Sequence, residues 1–336
     1  MIPFSVLDLA PIVEGSNPQD ALARSKRLAT HADRLGYKRY WLAEHHNMPG
    51  IASAATAVMI AHAGQDTENI RLGAGGIMLP NHAPIMVAEQ FGTLEAMYPG
   101  RIDLGLGRAP GGDQLVSQAL RRTMVGGEDR FPREVMELQA FLGPVQPGQR
   151  VQAVPGGNTN IPLWILGSST FGAQLAAHLG LPYAFASHFA PQQMMQAISI
   201  YRETFQPSEQ LKEPYVMLGF NMIAAETDEE ADRLASSLRR TFVNMRRGKP
   251  TQLAAPDPSF DEQIQPHERA MLDTMLSCSA VGSPQTVSKK LDSFIAETGA
   301  DELILSAHIF DEKARMRSYE IAAEVRESLG AAKAAE

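Results

Sequence analysis

A single cysteine, Cys278, is all the chain has, which excludes an intrachain disulfide and a thiolate metal cluster and agrees with a reducing compartment. Positive charge is also scarce. Thirty Lys and Arg stand against 38 Asp and Glu in 336 residues, a formal charge of −8. Such a balance provides no basic field for nucleic acid or an anionic membrane, so neither is expected as a partner. The longest apolar run, residues 51–63, is interrupted by Ser53, Thr56 and His62 and is too short to span a bilayer. No Lys or Arg precedes an apolar stretch at the N-terminus, so no secretory signal is expected and the chain reads as cytoplasmic. No H-E-x-x-H or Cys-His metal spacing occurs, and no G-x-G-x-x-G follows the first β-rich run, where an open dinucleotide-binding sheet would need it.

What the chain does have is alternation. Short β-rich runs are followed by stretches of helical period, the pattern of repeated strand–helix units with a parallel sheet. Strands are expected near residues 4–7, 39–42, 70–74, 101–105, 162–166, 183–186, 215–223 and 303–305, each followed by a helix. Asn17, Thr227 and Ser283 are expected N-caps, and Gly36 and Gly180 expected helix ends. Eight units without a composition break predict an α/β fold: one (β/α)₈ TIM barrel over residues 1–336. It carries loop insertions. Residues of about 143–160, rich in Pro and Gly, read as an irregular insertion; those of about 246–266, lacking apolar period, read as a lid loop or a surface excursion.

In such a barrel the polar residues just past the strands' C-terminal ends converge on one mouth. Four groups stand out. Glu44-His45-His46-Asn47 follows the second strand, and imidazole can donate or accept a proton near neutrality. Glu44 and His45 are the candidate catalytic pair, with hydrogen bonding of a buried strand end as the plainer alternative. A metal is disfavoured, because adjacent strand-end residues point to opposite sides and His45 and His46 would not share an ion. The second group, Gly73-Ala74-Gly75-Gly76, lets backbone approach a flat ligand, with His82 beyond it as a rim or pocket residue. Third comes Gly105-Leu106-Gly107-Arg108-Ala109-Pro110-Gly111-Gly112, a guanidinium among glycines suited to phosphate. Fourth is Gly167-Ser168-Ser169-Thr170, opening a helix. Alone it reads as ordinary capping, but beside Arg108 it reads as an anion cradle. A phosphate between Arg108 and Ser168–Ser169, a planar ring at Gly75 and Gly76, and histidines at the reactive face together describe flavin mononucleotide, FMN.

Trp41-Leu42-Ala43-Glu44-His45-His46, the runs 72–80 and 99–108, Trp164-Ile165-Leu166-Gly167-Ser168-Ser169, and the closing 281–284 and 298–303 resemble, in order, the bacterial luciferase-like flavin monooxygenases, single-chain branch. The resemblance covers nearly the whole chain. It implies a (β/α)₈ barrel, usually a homodimer, that takes FMN as FMNH₂ from a separate flavin reductase and uses O₂ to oxygenate a small organic substrate. It places the catalytic histidine at His45 beside Glu44, the phosphate arginine at Arg108, and the phosphate serine at Ser169. Ser168 stands where luciferase has Glu, and the cis peptide falls at Gly75–Gly76. Where luciferase has a reactive cysteine this chain has Gly107, so light emission and long-chain aldehyde specificity are not carried over. Hydride transfer with deazaflavin F420, flavin binding without turnover, and a metal-dependent hydrolase using Glu44, His45 and His46 remain the alternatives.

Overall fold

The computed structural model describes residues 1–109, 119–120 and 127–334. Its strands are β1 (Phe4–Asp8), β2 (Arg39–Leu42), β3 (Arg71–Met78), β4 (Ile102–Gly107), β5 (Leu163–Gly167), β6 (Tyr183–Phe185), β7 (Val216–Ala224), β8 (Ser279–Gly282) and β9 (Glu302–Ser306). The helices are α1 (Pro18–Arg34), α2 (Thr56–Ala63), α3 (Pro84–Met97), α4 (Gly127–Leu142), α5 (Thr170–Leu179), α6 (Met194–Thr204), α7 (Asp228–Arg246), α8 (Pro266–Met275), α9 (Pro284–Thr298) and α10 (Glu312–Ala334). Each of β1 to β7 pairs in parallel with the next, β7 pairs with β9, and β9 pairs with β1. That ring is the expected closed eight-stranded barrel.

Local chemistry places the elements. Asn17 and Thr227 accept the amides of Asp20 and Glu230 at the starts of α1 and α7, and Gly180 ends α5 in the left-handed region. Strand β7 is buried at every position, as expected for a parallel strand covered on both faces. The expected strand at 70–74 is longer: β3 runs through Gly73 to Gly76 and on to Met78 with a register shift, and the Gly75–Gly76 peptide is cis. The second helix starts at Thr56. The stretch 246–266 is not wholly irregular, because a 3₁₀ turn spans Pro258–Gln263 and α8 follows at once.

Alternation along the strands divides core from lumen. Outward residues such as Phe4, Tyr40, Leu72, Ile102 and Leu303 join the large cluster beneath the helices. The inward set Leu7, Trp41, Ala43, Trp164, Ala184, Met217 and Ile304 forms a separate cluster. Trp41 and Trp164 meet edge to face at 5.2 Å. Inward glycines make that possible, since a Cβ on Gly73 would lie 2.7 Å from the Trp41 indole nitrogen. Below this layer, at the strands' N-terminal ends, charged groups seal the barrel. Arg39 pairs with Asp103 at 2.5 Å and with Glu302 at 3.0 Å, and Arg71 pairs with Asp103 at 2.7 Å. Above it, at the C-terminal ends, the lumen opens.

Candidate active site

The opening is a cavity of about 250 Å³ with walls that are mostly apolar, among them Trp41, Ile51, Leu166, Met217 and Leu253. It holds three imidazoles, those of His45, His188 and His308. Burial holds all three below the usual imidazole range. Repulsion from neighbouring rings adds to it at His188, which falls to about 3, with His308 and then His45 as further causes. His308 falls to about 4, with Arg315 and His45 lowering it and Asp8 opposing. For His45 the Ala43 carbonyl and the Glu44 charge oppose burial without overcoming it. All three rings are therefore neutral at pH 7. The Nδ1 atoms of His45 and His188 are buried with no hydrogen-bond partner of ordinary geometry among the described residues.

Glu44 does not line this cavity. It is 1% exposed, and its carboxylate accepts hydrogen bonds from His46 (2.7 Å), His82 (2.9 Å) and the Met78 amide (2.9 Å). Burial would raise its pKa, but the His82 ring, then His46 and the Met78 amide, hold it below the usual carboxylate range. Glu44 is thus an anionic clamp tying the ends of β2 and β3 together. Its own amide donates to the Gly76 carbonyl. His46 and His82 belong to this clamp.

Arg108, Gly167, Ser168 and Ser169 stand together at the adjoining ends of β4 and β5, where Gly107 pairs with Leu166. The Arg108 guanidinium lies 4.1 Å over the Phe171 ring, in the first turn of α5. Ser169 occupies that helix's N-cap, yet its hydroxyl makes no capping bond. Among the described residues the backbone beside them is open: a Cβ on Gly107 would meet only the Ile77 carbonyl at 3.8 Å, and one on Gly167 only the Gly172 Cα at 3.9 Å. A guanidinium, small hydroxyls and the amide-bearing end of a helix make an anion site. Gly75 lines the cavity, whereas Gly76 packs against Gly105 and Leu166. Pro110, Gly111 and Gly112 lie outside the described residues.

The sequence reading missed His188 and His308. Both stand just past barrel strands, β6 and β9, so extending the strand-end rule from four strands to eight would have found them. The segment after α7 also reaches the cavity through Pro250, Thr251 and Leu253. It is pinned there by Leu253, whose amide donates to Ile12 and whose carbonyl accepts from Glu14, both at 2.9 Å. Among the described residues no His, Cys, Asp and Glu are grouped to hold a metal, and no helix is long and apolar enough to cross a membrane.

Comparison with known proteins agrees with this architecture. A family profile described as luciferase-like monooxygenase matches residues 2–302. A luciferase-like monooxygenase of Escherichia coli (strain K12) is 51% identical over 328 residues, 98% of each chain. The crystal structure of apo-MsnO8 superposes with a TM-score of 0.90 at 38% identity, covering 97% of this chain and 99% of that one. Two more distant structures share the fold. The oxygenating component of 3,6-diketocamphane monooxygenase in complex with FMN has a TM-score of 0.72 at 18% identity, covering 96% of this chain and 97% of that one. An F420-dependent secondary alcohol dehydrogenase has 0.69 at 16%, covering 95% and 97%. With its closed barrel and a profile match over most of its length, the chain belongs to the luciferase-like monooxygenase family.

Proposed function

We propose that the protein is an FMN-dependent monooxygenase that uses reduced FMN, delivered by a separate flavin reductase, and O₂ to oxygenate a small organic substrate. The observation that carries this reading is Arg108 laid over Phe171 at the start of α5, next to glycine backbone that no described residue fills and a cavity lined by His45, whose Nδ1 has no partner among the described residues. The residues fit the cofactor. Arg108, Ser168, Ser169 and the first amides of α5 would hold its phosphate, and Gly75 and Gly167 would leave room for its ring, with Gly76 packed behind against Gly105 and Leu166. Bound there, the flavin supplies the two electrons that activate O₂.

The chain's own part is positional. Glu44 fixes the ends of β2 and β3, and hence the backbone of His45. His45, neutral and with a free ring nitrogen, is suited to take or return a proton at the cavity wall. The apolar lining keeps water from the reacting atoms. Residues of about 246–266 would act as the lid of a single barrel domain, and a cytoplasmic homodimer completes the proposal.

Fluorescence titration with FMN, FMNH₂ and F420 tests it, together with O₂ uptake by the reduced complex. Arg108→Ala is expected to weaken FMN about 10- to 100-fold, the loss of one charge-assisted hydrogen bond, while riboflavin affinity is unchanged. Preference for F420 with no substrate-linked O₂ uptake would replace this reading with hydride transfer.

A further inference from the structure

We infer that His188 is the residue that recognises the substrate, and that it selects an uncharged, largely apolar molecule carrying one hydrogen-bonding oxygen. The inference rests on the proposed function for calling the ligand a substrate; the recognition chemistry rests on the cavity itself.

The loop after β6 is fastened to β7 at three points, all of which fix this ring. The Asn221 side-chain amide donates to the His188 carbonyl at 2.5 Å, and the Ser187 hydroxyl donates to the Gly219 carbonyl at 2.7 Å. The ring itself occupies the place where residue 219 would otherwise carry a side chain. A Cβ on Gly219 would lie 2.1 Å from the His188 Nδ1, far inside contact distance. Phe189 braces the imidazole edge to face at 5.1 Å. The buried Nδ1 is shut against the β7 backbone at Gly219, so a ring that lines the cavity can meet a ligand only through its other nitrogen, Nε2.

The rest of the wall sets the charge of that ligand. Among the described residues its polar side chains, apart from the three histidines, are Thr241 and Thr251, and no described Lys, Arg, Asp or Glu lines it. A carboxylate or sulfonate entering this cavity would shed its hydration with no cation among the described residues to meet it, which is strongly unfavourable. A ketone, aldehyde or alcohol loses far less and receives one hydrogen bond from a preorganised neutral imidazole.

The chain has two tryptophans, and Trp41 lines the cavity, so its fluorescence reports occupancy without any cofactor. The probes are cyclohexanone, cyclohexane and cyclohexanecarboxylate, titrated at pH 7 into the wild type, His188→Phe, His188→Gln and Gly219→Ala. Cyclohexanone should bind saturably and lose about 3- to 10-fold in affinity in His188→Phe, one neutral hydrogen bond, while cyclohexane does not. His188→Gln should restore most of that loss, and Gly219→Ala, which evicts the ring, should reproduce it. The carboxylate should give no saturable change at concentrations that saturate the ketone. Tighter binding of the carboxylate, no saturable response to cyclohexanone, or an unchanged ketone-to-cyclohexane ratio in His188→Phe overturns the inference. FMN titration of the same samples separates the two proposals. A wild type that discriminates the probes but binds no flavin refutes only the proposed function, and one that binds FMN without discriminating refutes only this inference.

Discussion

Mild acid is expected to destabilise the fold through the cavity histidines. His188 and His308 are held at about 3 and about 4, against 6.5 for imidazole in an unfolded chain. Between pH 6.5 and pH 4 the unfolded chain therefore binds protons that the folded protein refuses, and stability falls as pH falls. Above pH 6.5 both states leave these rings neutral and the contribution is fully present. Integrated from pH 7 to pH 5, each ring costs about 2 kcal/mol and the pair about 4 kcal/mol, a large part of the stability of an ordinary domain. His45 acts in the same direction. Urea unfolding at pH 7, 6 and 5 measures the slope, and the His188→Gln, His308→Gln double variant should lose most of it. A wild type equally stable at pH 7 and pH 5, or a double variant that keeps the full slope, would refute the reasoning.

Three substitutions probe the frame around the cavity. Glu44→Gln places a neutral amide where His46, His82 and the Met78 amide need an anion, and should cost about 1–3 kcal/mol by urea unfolding at pH 7. Arg39→Met leaves Asp103 and Glu302 buried with one fewer cation, and about 3–5 kcal/mol should be lost in the same assay. Gly105→Ala puts a Cβ 2.3 Å from the Ala74 carbonyl, in backbone that cannot swing aside. A loss of at least about 1–3 kcal/mol is expected, and a neutral result would show that β3 and β4 can separate.

The barrel was legible because its strands are short apolar runs bounded by Gly, Pro and polar clusters, and eight of them recur. Strand β8, Ser279–Gly282, was not legible. Four residues with two small side chains offer no alternation, and it pairs only with the far half of β7. Helix α8 escaped for a related reason: Glu268 and Leu272 are its only buried residues, too few to make an apolar stripe. The Arg108 and Ser168–Ser169 groups could be found because glycines mark them and neighbouring strands carry them. His188 and His308 sit in unremarkable loops. What makes them matter is Gly219 opposite one and Asp8 and Arg315 near the other, partners distant in sequence that only the closed barrel assembles.

The charged floor of the barrel has a consequence for traffic. With Arg39, Arg71, Asp103 and Glu302 interlocked at one end, the way into the chamber among the described residues is from the opposite rim. If a cofactor and a substrate share this chamber, as proposed, whichever lodges deeper would have to arrive before, and depart after, the one seated above it. Compulsory-order binding is what a tube stoppered in this way would then impose.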